Sequence, residues 1–191
     1  MEKLKQYALS LINQIPQYEY EVLLSIFCLS VVLLLAICGV KKGYRKIFQI
    51  LLSEYVVLLY SSTFLLRDHV EKCGPNFKLF WSYTAIQGGN EHILAESIMN
   101  VVVFIPLGML LKIAFRSIRW WQMISVGCAT SISIEILQFA FKRGYAETDD
   151  VIHNTLGCFI GYGIIMIILK IISYIQKYGK KKNLLVLGAH E

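Results

Sequence analysis

Long apolar runs separated by short polar segments dominate this chain. The first run, residues 22–40, contains no charged residue and is long enough to cross about 30 Å of hydrocarbon as a helix. Similar runs follow at residues 47–66, 97–111, 121–141 and 151–169. The pattern therefore predicts an all-α fold, a polytopic membrane helical bundle with about five transmembrane helices.

The segments outside these runs differ in character. Residues 3–15 have an amphipathic pattern, which fits either an interfacial helix or a solvated helical arm. Residues 67–96 are polar and aromatic, with turn signals at Gly74-Pro75 and Gly88-Gly89, and are long enough for a short strand or an interfacial helix. The chain thus divides into an N-terminal segment, two spans, a loop, three further spans and a basic tail, at residues 1–21, 22–66, 67–96, 97–169 and 170–191.

The composition supports this reading and gives an orientation. Of the 191 residues, 56% are hydrophobic and 17% are charged, whereas an ordinary soluble domain has about 25% charged residues. The net charge of +6 would suggest nucleic acid as a partner of a soluble protein, but here the bilayer is the expected partner and nucleic acid is not. If the spans alternate, twelve of the 19 basic residues lie on the side of the C-terminal tail and seven on the other. The positive-inside rule then predicts an outer N-terminus and a cytoplasmic C-terminus.

Polar residues inside the predicted spans are the first candidates for function. Asn100, Glu135, Gln138 and Asn154 fall within one slab of the outer leaflet in this topology, and Glu135 and Gln138 share a helix face because they are three residues apart. Burying such groups in lipid is costly, so an acid there is a functional candidate. Glu54 lies instead in the inner half of its span. The alternative is that the amides only join helices through hydrogen bonds worth about 0.6 kcal/mol each.

The loop between the last two spans adds charged candidates. Arg143 has the planar guanidinium that suits a carboxylate or a phosphate. Asp149 or Asp150 stands where an N-cap of the last span is expected. The predicted ligand-binding residues are Asn100, Glu135, Gln138, Arg143, Asp149, Asp150 and Asn154.

Small residues and a proline indicate close packing of the last three spans. Gly157 and Gly161 form a G-x-x-x-G motif, which lets two helices approach closely. Pro106 removes a backbone donor from the third span and is expected to kink it, and Gly108 permits tight contact beside it. Phe104 precedes them in the same segment.

Signatures of metal and cofactor chemistry are missing from the sequence. His69, His92 and His153 all fall on the predicted outer side, but none has the spacing of a histidine metal motif. No phosphate-binding loop, nucleophile elbow or dinucleotide fingerprint is present. We therefore predict neither a metal nor a cofactor.

The order of these motifs resembles the VanZ-like family of bacterial membrane proteins. The resemblance rests on N-V-V-V-F-I-P-L-G from Asn100 to Gly108, then E-I-L-Q from Glu135 to Gln138, Arg143, the two aspartates, and N-T-L-G-C-F-I-G from Asn154 to Gly161. It covers about residues 75–168, where Phe77 to Tyr83 resemble the aromatic segment that precedes the motif. Residues 97–169 would then be a VanZ-like three-helix core in the bacterial cell membrane.

The resemblance implies a role in the cell envelope, because the founding member of the family is associated with reduced susceptibility to teicoplanin. The leading hypothesis is an outward-facing polar pocket that binds an amphiphile, either a lipoglycopeptide or a lipid-linked cell-wall precursor. The alternative is an intramembrane enzyme that modifies such a precursor, with Glu135 or Asp150 as general base and Arg143 holding a phosphate. Proton or ion movement and pure scaffolding stay open as third and fourth readings. We expect a binding protein rather than an enzyme.

Overall fold

The computed structural model describes residues 44–65, 69–70 and 74–187. These residues form helices joined by short connections, and the two strands among them have two residues each. The elements are α1 (Tyr44–Tyr60), β1 (Pro75–Asn76), α2 (Trp81–Gln87), α3 (Glu91–Ala114), α4 (Trp120–Ala140), β2 (Ala146–Glu147) and α5 (Thr148–Leu187). The predicted all-α class is confirmed. The N-terminal segment 1–21 and the predicted first span, residues 22–40, lie outside the described residues.

Three of the described helices, α3, α4 and α5, are long and apolar enough to cross a membrane. The predicted second span, residues 47–66, corresponds to α1 with 17 residues and to the π-helical segment Ser61–Leu65 that continues it. An integral membrane protein is the class that such helices indicate.

Two helices extend beyond the apolar runs that predicted them. α3 begins at Glu91, and the side chain of Asn90 caps it by accepting the Ile93 N–H at 3.2 Å. α5 has 40 residues and rises about 60 Å, so it continues well past residue 169. Hydropathy marks the part of a helix that lipid can cover, and the polar ends of α3 and α5 lie outside that part.

α3 and α5 touch backbone to backbone. A Cβ atom added at Gly157 would lie 2.0 Å from the Val101 carbonyl oxygen, and one added at Gly161 would lie 2.0 Å from that of Ile105. Both positions therefore exclude any larger residue unless the helices separate. Since an advance of four residues on α5 matches an advance of four on α3, the two helices run parallel.

α4 runs in the opposite direction beside α5. Gly127 lies against the Cys158 side chain, and further along α4 the side chain of Ser131 meets Asn154, earlier in α5. The bundle is thus three neighbouring long helices in alternating directions. Its core is filled by large apolar side chains, among them Phe48, Leu59, Phe104, Leu107, Met109, Leu110, Met123, Ile134 and Ile165.

α1 packs on α3 near the proline. Pro106 lies inside α3 and cannot donate to the Val102 carbonyl, four residues before it. The neighbouring carbonyl of Val103 accepts a hydrogen bond of 2.5 Å from the Tyr55 hydroxyl of α1. A side chain from another helix thus binds the backbone of α3 just before the proline, as is common where a helix in a membrane contains one.

The segment before α3 folds onto the connection between α4 and α5. β1 pairs with β2 in parallel, with Pro75 opposite Ala146 and Asn76 opposite Glu147. The Val70 N–H also donates to the Lys142 carbonyl at 2.8 Å. We call this end of the bundle, with residues 74–90 and the α4–α5 connection, the loop end.

Candidate functional site

Polar side chains are buried along one face of α4, toward the loop end. Ser131, Glu135 and Gln138 are spaced by four and three residues, so they lie on one face, and all three are buried. The same face continues toward the other end with Gly127 and Met123, which are also buried. α4 therefore presents a polar half and an apolar half to its neighbours.

Asn154 of α5 completes the polar face. Its Nδ2 donates to Ser131 Oγ at 2.8 Å, and both residues are buried. Because a buried amide needs partners, this bond accounts for part of its hydrogen-bonding capacity. The structure thus brings two of the predicted amides, Asn154 and Gln138, to the same face of α4.

Glu135 and Gln138 connect α4 to other parts of the chain. Glu135 Oε2 accepts the Glu147 N–H at 3.0 Å, so the carboxylate holds strand β2. Gln138 Nε2 donates to the Thr63 carbonyl at 2.7 Å, in the π-helical segment. Gln138 Oε1 is buried and has no hydrogen-bond partner within the described residues.

Asp149 has a different environment from the other acids. It is 1% exposed, its Oδ1 accepts the Phe80 N–H at 2.7 Å, and its Oδ2 accepts the Ser82 N–H at 2.9 Å and the Ser82 hydroxyl at 2.6 Å. Phe80 is the N-cap residue of α2, in a left-handed conformation with φ of 60°, and its side chain caps nothing. Asp149 therefore supplies the cap of α2, while it lies inside the first turn of α5, which begins at Thr148.

His153 is a buried neighbour of this cap that the sequence analysis did not select as a binding residue. It is one helical turn after Asp149, and its Nε2 lies 3.3 Å from the Tyr83 hydroxyl of α2. Its Nδ1 is buried without a hydrogen-bond partner in the part of the chain that the structure describes. α2 is thus held to α5 by two side chains of α5.

The remaining predicted residues lie around this face. Asn100 is half-buried on α3, with an Nδ2 that has no partner among residues 44–65, 69–70 and 74–187. The Arg143 backbone N–H donates to the Gln138 carbonyl at 2.7 Å, and its side chain is half-buried. Asp150 is half-buried in the first turn of α5, and Glu54 is exposed on α1.

Comparison with protein-family models assigns the chain to a family. The model described as VanZ/LLP1 matches residues 29–170, which is most of the sequence. The chain belongs to the VanZ/LLP1 family. The predicted VanZ-like resemblance is confirmed, and the VanZ/LLP1 match extends it on the N-terminal side to include α1.

A curated relative supports the VanZ/LLP1 assignment. The chain is 36% identical over 89 residues to Protein VanZ of Enterococcus faecium, an alignment that covers 47% of this chain and 51% of that protein. The chain therefore spans about half the length of the curated relative that it matches. No solved structure matches it.

Metal coordination has no ready site in this VanZ/LLP1 protein within the described ranges. There, no group of three or more histidine, cysteine, aspartate or glutamate side chains is placed to hold an ion. The polar groups of the α4 face are instead suited to hydrogen bonding and to charge pairing.

Ser131 and Ser82 are residues of this site that sequence reasoning missed. Ser131 was detectable, because it precedes Glu135 by four residues on the same face. Ser82 was not, because its partner is 67 residues away and nothing local marks the contact.

Proposed function

We propose that this VanZ/LLP1 protein alters susceptibility to teicoplanin or related lipoglycopeptides by binding an amphiphile at the polar face of α4. The observation that carries the proposal is the buried polar set of Ser131, Glu135, Gln138 and Asn154 within helices able to cross a membrane. A carboxylate is costly to bury at such a position, which makes Glu135 a candidate for function. The family supplies the link to teicoplanin.

The surface of α4 suits the two halves of an amphiphile. Its polar face is buried, while Ile132, Ile136 and Phe139 are exposed on the adjacent flank of the helix, where lipid would contact them. The Oε1 of Gln138 and the Nδ2 of Asn100 are buried polar atoms without partners in the described chain, so they can accept or donate a further hydrogen bond. The head group of an amphiphile could bond these two atoms at the polar face, while its acyl chain lies along the exposed apolar side chains of α4.

Charge distribution supports an outward-facing site. At the α3–α4 end of the bundle lie Lys112, Arg116, Arg119 and the five lysines of α5, Lys170, Lys177 and Lys180 to Lys182, whereas the described residues of the loop end include three basic ones, Lys78, Lys142 and Arg143. By the positive-inside rule the loop end faces outward and the C-terminal tail is cytoplasmic. The polar face of α4 is then in the outer half of the membrane, where cell-wall precursors and lipoglycopeptides meet the bilayer.

The test compares teicoplanin susceptibility in a glycopeptide-sensitive bacterium that expresses wild type or Glu135→Gln. The expected result is that wild type changes the inhibitory concentration and Glu135→Gln does not, at equal amounts of protein in the membrane. Glu54→Gln is the matched control, because it makes the same change at an exposed acid of α1. Equal values for wild type and Glu135→Gln would rule out the proposed role of the polar face.

A second glycopeptide separates binding of an amphiphile from a general change in the cell wall. A glycopeptide without an acyl chain lacks the apolar half that the lipid-facing side of α4 would receive. Susceptibility to it is expected to be unchanged by the wild-type protein. An equal change for both antibiotics would contradict amphiphile binding.

The burial of Glu135 also favours one alternative, an intramembrane enzyme that modifies a lipid-linked precursor. In that case Glu135 or Asp150 acts as general base and Arg143 holds a phosphate. Both oxygens of Asp149 already accept hydrogen bonds from α2, which makes it a weaker base candidate. Mass analysis of lipid-linked precursors and muropeptides, with and without the protein, decides the matter, because an enzyme changes their covalent structure.

A further inference from the structure

Residues 77–83, between β1 and the middle of α2, carry an apolar surface that is largely exposed in the described chain. Phe77 is 77% exposed, Leu79 and Phe80 are each 56% exposed, and Tyr83 is 45% exposed. α2 has seven residues, far fewer than a membrane crossing needs. Four large apolar side chains in one short segment form a patch of the kind that marks an interaction surface.

The patch has a fixed position on the bundle. On its N-terminal side β1 pairs with β2, and at its centre the Phe80 and Ser82 N–H groups donate to the Asp149 carboxylate. On its C-terminal side Tyr83 lies 3.3 Å from His153 Nε2. These contacts place the patch at the level of the first turn of α5.

The length of α4 locates that level relative to a bilayer. Its 21 residues rise about 30 Å, which is the thickness of the hydrocarbon core. Exposed residues with amphipathic aromatic rings occur near both of its ends, Trp120 and Trp121 at the start and Tyr145 just beyond the loop end. Trp and Tyr side chains concentrate at the two membrane–water interfaces, so the loop end of α4 is at an interface.

The lipid-facing surface of the bundle continues into the patch. Tyr145, in the α4–α5 connection, is exposed, and so is Leu156 on α5, two turns after Asp149. The patch therefore lies beside further exposed apolar surface of the bundle. An occupant other than lipid would have to exclude the bilayer from that side of the loop end.

We propose that residues 77–83 are an interfacial anchor, in which Phe77, Leu79 and Phe80 insert into the interfacial layer of the leaflet at the loop end. The Asp149 carboxylate fixes the anchor at that depth by holding the start of α2. The proposal is independent of any ligand of the α4 face, because it concerns contact with the bilayer itself.

Depth-dependent quenching of tryptophan fluorescence tests this anchor in the full chain. In a background of Trp81→Phe, Trp120→Phe and Trp121→Phe, single probes are introduced by Phe77→Trp and, separately, by Leu79→Trp. The protein is reconstituted into phosphatidylcholine vesicles whose acyl chains carry bromine either near the head group or near the bilayer centre. Aqueous iodide reports exposure to water.

Two further probes calibrate the measurement. Glu91→Trp lies at the exposed start of α3, before the apolar residues 97–111, so its fluorescence is expected to be quenched by iodide in the water. Ile132→Trp, exposed near the middle of α4, is expected to be quenched by bromine near the bilayer centre. The Phe77→Trp and Leu79→Trp probes are expected to lose most of their emission to bromine near the head group and to resist iodide.

Two results would overturn the anchor. If the Phe77→Trp and Leu79→Trp probes behave like Glu91→Trp, the patch is in water. If they resist iodide and both brominated lipids, the patch is covered by protein, such as a second copy of this chain. An effect on teicoplanin susceptibility that is equal in wild type and Glu135→Gln would overturn the role of the α4 face and leave the quenching results unchanged, so the two proposals fail separately.

Discussion

The Asp149 carboxylate accepts two hydrogen bonds from Ser82, one from the Ser82 backbone N–H at 2.9 Å and one from the Ser82 hydroxyl at 2.6 Å, although the two residues are 67 positions apart in the chain. The acid thereby supplies negative charge to the N-terminus of α2, where the helix dipole favours it. A helix of seven residues is too short to be stable on its own. α2 therefore depends on an acid that belongs to α5.

Replacing this acid should release α2. In Asp149→Asn the charge is lost and an amide donor faces backbone donors, at a cost of about 1–3 kcal/mol. We expect faster amide hydrogen exchange in residues 80–87, with little change in the middle of α5. Asp150→Asn is the matched control, since Asp150 is the neighbouring acid in the same helical turn. Unchanged exchange in residues 80–87 of Asp149→Asn would show that the carboxylate is not what holds α2.

The parallel contact of α3 and α5 predicts opposite effects for two alanine substitutions in one helix. Gly157→Ala places a methyl group 2.0 Å from the Val101 carbonyl oxygen, so the helices must separate. We expect a loss of about 1–3 kcal/mol or more, measured as a lower unfolding temperature in detergent.

Gly163→Ala is the control for that experiment. Nothing lies within 4 Å of the added Cβ, so helix propensity alone acts, and we expect a gain of up to about 1 kcal/mol. If Gly157→Ala is as stable as Gly163→Ala, α3 and α5 are not in backbone contact.

The hydrogen bond between Asn154 and Ser131 should contribute little to stability. Interhelical hydrogen bonds in membrane proteins average about 0.6 kcal/mol. A double-mutant cycle with Asn154→Ala and Ser131→Ala measures the coupling in thermal unfolding. A coupling of several kcal/mol would mean that the polar face mainly holds the bundle together, and the case for a binding role would weaken.

Accessibility of single cysteines tests the orientation. In a background in which all five native cysteines are replaced by alanine or serine, a membrane-impermeant thiol reagent is expected to label Tyr145→Cys in intact cells, because Tyr145 is exposed in the α4–α5 connection. Ser117→Cys, exposed in the α3–α4 connection, should react only after the membrane is permeabilised. The reverse pattern would place the polar face of α4 in the cytoplasmic half.

Hydropathy predicted the long helices well because lipid exposure and helix formation coincide over most of their length. They diverge at the ends: Glu91, His92 and Glu96 are polar residues within the helix, and the Asn90 cap was visible in the sequence as an asparagine before an acidic residue. The spacing of Glu135 and Gln138 correctly placed them on one face, since helical periodicity is a local property.

Contacts between distant segments were beyond this reasoning. The interpretation of Asp149 or Asp150 as the N-cap of the last span identified the chemistry of Asp149, yet both acids lie inside the first turn of α5 and the helix that Asp149 caps is α2. The sequence around Phe80 does not predict that this residue adopts a left-handed conformation, or that a side chain of another helix caps α2. The pairing of β1 with β2 likewise depends on where the loop folds, and two-residue strands have no detectable pattern.

The close approach of α3 and α5 constrains the order in which the chain can assemble. Because α4 connects the two parallel helices, α3 and α5 cannot come into contact until α4 has crossed the membrane in the opposite direction. The contact between Val101 and Gly157 therefore forms only after α5 is in place. During synthesis the carbonyl face of α3 is therefore exposed to lipid or to other helices until α5 has been inserted. The glycines of α5 complete the bundle last, and a defect there would be a failure of assembly after every helix has already entered the membrane.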